Sequence, residues 1–191
     1  MFLESQINHQ VEKGSIEVIC GSMFSGKTEE LLRRLKRAEF AKLNIAVFKP
    51  HVDKRYDTQK VVSHDENTIQ AISVESAKDI LKQANEVQVV AIDEAQFFDS
   101  ELVTVCTKLA NTGVRVIIAG LDMDFLGNPF GIMPEMLAIA EHITKVHAIC
   151  TDCCATANHS FRKTADKNLI KIGEKEEYKP LCRDCFSRKM S

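Results

Sequence analysis

Eight consecutive residues, Gly21, Ser22, Met23, Phe24, Ser25, Gly26, Lys27 and Thr28, fill the pattern G-x-x-x-x-G-K-[ST]. The pattern suits polyphosphate for a physical reason. Its two glycines let backbone N–H groups turn inward with no Cβ in the way, and a helix that follows aims the positive end of its dipole at the same spot. Lys27 is then placed to reach the β- and γ-phosphates, and the Thr28 hydroxyl to complete an Mg2+ shell. A second pair, Asp93-Glu94, closes the apolar run 87–92. An acid delivered at the C-terminal edge of a buried strand holds the metal in such folds, directly or through water, which is the expected role of Asp93. A carboxylate one position later can take the proton of a group attacking the γ-phosphate, which makes Glu94 the expected catalytic base.

A third constellation is built from sulfur. Cys150-Thr-Asp-Cys153 and Cys182-Arg-Asp-Cys185 are two C-x-x-C knuckles, and together they offer four thiolates to one tetrahedral Zn2+. Four sulfurs leave no open position, so the metal is expected to be structural, stapling a ribbon too small to fold on its own core. Cys154 and His159 are spare candidate ligands, whereas Cys20 and Cys106, on a strand and a helix, read as plain buried thiols.

These residues need a scaffold, and the apolar pattern supplies one. Strands are expected at 16–20, 44–49, 68–74, 87–92, 114–121 and 143–149, and helices at 28–42, 76–85, 101–111 and 133–142. Alternation of strand and helix implies an α/β fold of the P-loop NTPase kind, a mainly parallel sheet covered on both faces. In the first helix Leu31, Leu32, Leu35 and Ala38 form the inward stripe; Arg33, Arg34, Lys36 and Arg37 read as a solvated face in preference to phosphate contacts. The polar stretch 51–67 is expected to be irregular, and beside a nucleotide site such a segment is functional or mobile. The loop 122–130 leaves Phe125 and Phe130 near the ligand-binding edge of the sheet, as a wall for a planar base or as loop anchors, with Phe130 leaning to the core.

Three parts result: a flexible N-terminus at 1–14, an α/β nucleotide-binding unit at 15–149, and a zinc-binding unit at 150–191. Between the knuckles, 158–164 is basic and polar and includes Arg162, a candidate extra cation; 169–173 is strand-like, and Tyr178 follows. A loop tied at both ends by a metal can close over a ligand as a lid, or can serve an oligomer contact.

Composition limits the partners. With 191 residues, 45% hydrophobic content and a net charge of −2, the chain is globular and is not held to nucleic acid or an acidic membrane by bulk charge. Its start carries Glu4 and lacks a basic, apolar leader, and no apolar stretch approaches the ~20 residues needed to span a bilayer. A soluble cytoplasmic protein is expected, with no membrane or nucleic-acid partner.

The motifs taken together resemble the type II, cytosolic thymidine kinases. The resemblance rests on the Met-Phe inside the phosphate loop, on Asp93-Glu-Ala-Gln-Phe-Phe98, on Gly120-Leu-Asp-Met-Asp-Phe125 with Pro129-Phe-Gly131, and on the two knuckles with Ile-Gly and Tyr before the second. It runs from about Ser15 to Cys185. It implies ATP-dependent phosphorylation of the thymidine 5′-hydroxyl, with Glu94 as base. ATP would be met by the phosphate loop, Asp93, Gln96 and Asp53, Lys54 and Arg55. The nucleoside would be met by Phe125, Leu169, Ile170, Lys171, Ile172, Gly173 and Tyr178. The resemblance further implies Mg2+ with ATP, structural Zn2+, a homotetramer and feedback inhibition by dTTP. The segment between the knuckles is rather short, and Lys171 stands where the family often has an apolar residue.

Two other classes fit less well. A GTPase-like switch needs a guanine-reading N-K-x-D, which the sequence lacks, although Asp124-Phe-Leu-Gly127 fits D-x-x-G. A DNA-dependent ATPase gripping nucleic acid through the ribbon predicts overall basicity and further motor motifs, which are also missing.

Overall fold

A computed structural model of the chain describes residues 14–51, 60–62, 68–164 and 177–190. In chain order the elements are β1 (Ser15–Cys20), α1 (Lys27–Phe40), β2 (Ile45–Pro50), β3 (Lys60–Val62), β4 (Thr68–Gln70), β5 (Ile72–Val74), α2 (Ala77–Gln83) and β6 (Val89–Ile92). A single 3-10 turn at Ala95–Phe97 leads to α3 (Glu101–Asn111), β7 (Arg115–Gly120), α4 (Met133–Ile139) and β8 (His142–Lys145). The C-terminal part holds β9 (Ala148–Ile149), β10 (Thr156–Ala157), β11 (His159–Arg162), β12 (Tyr178–Leu181) and α5 (Arg183–Met190).

Six strands form the main sheet in the order β5-β2-β6-β7-β1-β8, and every pairing between them is parallel. The expected α/β class is therefore present. Its layers follow from side-chain alternation along the strands. Ile16, Val18 and Cys20 of β1 join Val90, Ile92, Val116 and Ile118 on the face covered by α2, α3 and α4. Ile19, Ala91, Ile117 and Ala119 point the other way, against Leu31, Leu32, Leu35 and Ala38 of α1. Full burial of each such leucine contributes about 1.5–3 kcal/mol, which fixes α1, and with it the phosphate loop, on the sheet.

One expectation about α1 is overturned. Arg34 does not lie on a solvated face: its side chain is 4% exposed, pairs with Glu17 of β1 at 2.7 Å and Glu30 at 2.8 Å, and donates to Thr144 Oγ1 at 2.8 Å. Arg115 of β7 binds the same Glu17 carboxylate at 2.6 Å. Glu17 is the one β1 side chain pointing at α1 that is charged, and a buried carboxylate there requires cations. Arg33, by contrast, is 46% exposed.

Other differences have local causes. The stretch 51–67 is not wholly irregular, because β3 pairs antiparallel with β4. The strand expected at 68–74 is two: β4 belongs to that hairpin, and after Ala71 the chain joins the main sheet as β5 beside β2. The helix expected at 133–142 stops at Ile139, where Ala140 turns extended, and the strand expected at 143–149 is divided. Beyond Lys145 there is no β1 left to pair with, since β1 ends at Cys20; Ala148 and Ile149 pair instead with β10. No helix among the described residues is long and apolar enough to cross a membrane. Residues 1–13 lie outside the described residues.

Candidate active site

The parallel strands β1, β6, β7 and β8 bring Cys20, Ile92, Gly120 and Lys145 to one end of the sheet, so the loops that follow leave from the same side, where ligands bind in open α/β sheets. At the end of β1 the phosphate loop curls around the Ser22 carbonyl, which accepts from Ser25 Oγ at 2.7 Å and Lys27 Nζ at 2.8 Å. Gly21 is obligatory: with φ at +147°, a Cβ there would lie 2.2 Å from the Val146 carbonyl oxygen. Gly26 sits at φ +85° and opens α1, its carbonyl accepting from Glu30 N at 3.0 Å. Thr28 stands in the first turn of that helix. Phe24 is itself left-handed, φ +64°, and packs against the apolar cluster of the cysteine-bearing unit. Met23 N donates to Ser160 Oγ of β11 at 2.9 Å.

Two strands away, β6 delivers Asp93 and Glu94. Asp93 is buried at 8% exposure, and its Oδ1 accepts from Glu94 N at 2.9 Å. Glu94 is half-buried and left-handed, φ +52° and ψ +42°, a conformation costing a non-glycine residue about 1–3 kcal/mol. Its carboxylate accepts from Gln96 Nε2 at 2.5 Å, and Gln96 Oε1 in turn accepts from Leu121 N at 2.9 Å. Gln96 is buried, and two glycines approach it closely. A Cβ on Gly120 would come within 2.9 Å of its Oε1, and one on Gly131 within 2.4 Å of its carbonyl oxygen. The carboxylate is thus aimed by a buried, hydrogen-bonded amide.

The nucleoside candidates meet across the loop after β7. Arg162 of β11 places its guanidinium carbon over the Phe125 ring, 3.8 Å from the centroid, and donates from Nε and Nη2 to the Tyr178 hydroxyl at 3.0 and 2.6 Å. Arg162 and Tyr178 face each other across the β11–β12 pair and are both buried. Phe130 instead stacks edge-on against Phe97, centroids 5.7 Å apart, and is 8% exposed, a core position. Asp53, Lys54, Arg55, Leu169, Ile170, Lys171, Ile172 and Gly173 lie outside the described residues.

The sulfur atoms of Cys150, Cys153, Cys182 and Cys185 all lie within 4.8 Å of one another, and neither Cys154 nor His159 belongs to the group. Four thiols at this separation match a tetrahedral ion with metal–sulfur bonds of about 2.3 Å. Burial raises the Cys150 thiol, but hydrogen bonds from the backbone around Cys182, Asp152 and Cys153 outweigh it and bring its pKa down to about 6. One thiolate is thereby ready for a metal near neutral pH. His159 is buried and stacked on Phe186, with centroids 4.4 Å apart; burial and then the Arg183 charge depress its pKa and keep it neutral. Cys20 and Cys106 are buried thiols pushed up to about 11 and about 12, chiefly by burial, and are chemically quiet.

Ser160 is a contact to the phosphate loop that sequence reasoning missed. It lies in a basic, polar stretch with no motif of its own, and only the strand pairing of β11 brings its hydroxyl to the phosphate loop.

The model of the thymidine kinase family matches residues 14–186. A thymidine kinase of Bacteroides thetaiotaomicron is 54% identical over 188 residues, covering 98% of this chain and 94% of that protein. One of a Rhodothermus species is 54% identical over 180 residues, covering 94% of this chain and 84% of its own length. Among solved structures, a DNA replication initiation factor reaches a TM-score of 0.43 at 12% identity, covering 70% of this chain and 40% of that one, a likeness too slight to carry function. A phosphate loop, an aimed carboxylate and a four-cysteine cluster occupy the positions that the family match spans, and the chain belongs to the thymidine kinase family.

Proposed function

We propose that the protein is a thymidine kinase that transfers the γ-phosphate of ATP to the 5′-hydroxyl of thymidine, giving dTMP and ADP. The observation that carries the reaction is the placement of Glu94: a carboxylate held left-handed by its backbone and aimed by Gln96, on the same sheet edge as the phosphate loop. The 5′-oxygen attacks the γ-phosphorus as the bond to the β-phosphate oxygen breaks, and Glu94 receives the hydroxyl proton. The amides of residues 21–28 and Lys27 stabilise charge on the transferred group; Lys27, now turned to the Ser22 carbonyl, exchanges that partner for phosphate oxygens. Thr28 and Asp93 offer hard oxygen donors suited to Mg2+, which when bound would neutralise charge on the β and γ oxygens.

Phe125, Tyr178 and Arg162 form the described part of the nucleoside side, and 169–173 complete it in this reading. The four thiolates would hold Zn2+ as a structural staple. Residues 150–191 act as one zinc-held unit whose loop closes over the base as a lid, excluding water and limiting idle ATP hydrolysis. The working protein is a cytoplasmic homotetramer restrained by dTTP at the substrate site.

The test is 5′-phosphorylation of labelled thymidine with ATP and Mg2+, wild type against Glu94→Gln. Wild type should make dTMP, and the variant should lose about a hundredfold or more in turnover, the scale of a lost general base. ATP hydrolysis with every nucleoside left untouched would overturn the reading in favour of a DNA-dependent ATPase.

A further inference from the structure

The edge that carries the phosphate loop holds an ion pair that the reaction above does not use. Lys145 Nζ lies 2.6 Å from Asp122 Oδ2; the aspartate side chain is 7% exposed and the lysine 44%. The two come from opposite sides of β1. Cys20, the last residue of β1, is level with Gly120 of β7 on one flank and with Lys145 of β8 on the other. The pair therefore spans the end of β1, where the chain leaves the sheet as Gly21. The backbone beside Lys145 already grips that point. Val146 N donates to the Cys20 carbonyl at 2.8 Å, and the Val146 carbonyl fills the space a Gly21 side chain would need. On the other flank Asp122 follows Leu121, whose N–H is held by the same Gln96 that aims Glu94.

We infer that the Lys145–Asp122 pair is a positioning device that fixes the first turn of the phosphate loop relative to the side of the edge bearing Glu94. Both are positioning residues for ATP, acting through Gly21 and its neighbours. The inference rests on the reading of residues 21–28 as the ATP loop. Two physical consequences separate positioning from simple charge. Removing Lys145 leaves a buried carboxylate unpaired beneath a site for anionic phosphates, which both loosens the loop and repels the ligand. Removing the Asp122 charge leaves a half-exposed cation that by charge alone attracts phosphate, yet the bridge across β1 is gone, so positioning requires weaker binding.

The experiment is calorimetric titration of the full chain with a non-hydrolysable ATP analogue and Mg2+, alongside the KM for thymidine. The proteins are wild type, Lys27→Ala, Lys145→Met, Lys145→Arg, Asp122→Asn and the double variant Lys145→Met with Asp122→Asn. Lys145→Met should raise the Kd for the analogue about tenfold, and Asp122→Asn and the double variant about threefold. Lys145→Arg should stay within about twofold of wild type, and the thymidine KM of all pair variants should change less than about twofold. If Lys145→Met does not fold, the double variant, which buries no lone charge, carries the test. Tighter analogue binding by Asp122→Asn, or pair variants that all bind as wild type does, would overturn the inference while Lys27→Ala still loses binding. Wild type that does not bind the analogue, or Lys27→Ala that binds it equally well, would instead overturn the reading of the loop.

Discussion

The sheet and the cysteine-bearing unit are held together by different forces, although the site draws on both. The sheet has two apolar layers, one against α2, α3 and α4 and one against α1, and its central strands β6 and β7 are buried almost end to end. The unit from β9 to α5 has a small core of Ala148, Cys150, Ala157, Leu181, Cys185 and Phe186, two of them members of the thiol cluster. Hydrophobic burial suffices for the first; the second has little apolar surface, and its four-cysteine cluster could hold a structural metal such as zinc, on which the proposed reading makes it depend. In the proposed reading, a site built across such a pair has a stable half, for phosphate, and a conditional half, for the nucleoside. The hydrogen bond from Met23 N to Ser160 Oγ, the packing of Phe24 on the small core and the Arg162 guanidinium over the Phe125 ring are among the seams between them.

The sharpest way to break this contrast is to remove the metal. Structural zinc contributes apparent folding free energies of about 10–16 kcal/mol, far more than this small core can replace. Cys182→Ser, or chelation of wild type, is expected to abolish thymidine phosphorylation while leaving the sheet folded. Hydrogen exchange should show β11 and β12 unprotected and β1, β6 and β7 as slow as before, with zinc content measured on the same samples. Retained protection in β11 and β12 would mean the small unit stands on its own core after all.

A smaller effect probes the stable half. Glu17 is buried between Arg34 and Arg115, so Glu17→Gln strands cations in the α1 layer and should cost about 3–5 kcal/mol in urea unfolding. Burial raises the Glu17 pKa, but the hydrogen bonds and charges of Arg115 and Arg34 outweigh it, and the carboxyl is held below its ordinary value of 4.5. A depressed folded pKa gives stability that is complete above the unfolded value and is lost as the pH falls through the folded one. The gap between wild type and Glu17→Gln should therefore be constant from pH 7 to about pH 5 and shrink below that. A gap independent of pH down to pH 3 would remove the ion pair as its cause.

What could be read from sequence follows the same division. The phosphate loop, Asp93 with Glu94, and the two knuckles are motifs whose chemistry is set by spacing alone, and the α/β class followed from strands and helices that largely alternate. Contacts made at long range left no such trace. The orientation of Arg34 depends on which face of β1 Glu17 occupies, and the position of Ser160 on a strand pairing formed around the cysteines. The end of the last parallel strand was misplaced because an apolar run does not record that its neighbour stops at Cys20. Arg162, read only as an extra cation, is buried over an aromatic ring, and no periodicity announces that.

Arg162 also gives the finest test of the conditional half. Its guanidinium covers the Phe125 ring and binds the Tyr178 hydroxyl through two nitrogens, so a planar group is needed as well as a charge. Lysine keeps the charge but neither stacks nor forks. A desolvated cation–π contact is worth about 0.5–2 kcal/mol, and part of that survives in lysine, so Arg162→Lys should cost about 1 kcal/mol in holding Phe125 and Tyr178. If those rings line the nucleoside side, the thymidine KM should rise about fivefold, with the ATP KM and kcat changed far less, because the phosphate loop and Glu94 sit on the sheet edge and not on β11. An equal fall in kcat with no change in either KM would instead place Arg162 at the transferring phosphate, and the boundary between the two halves would have to be redrawn through β11.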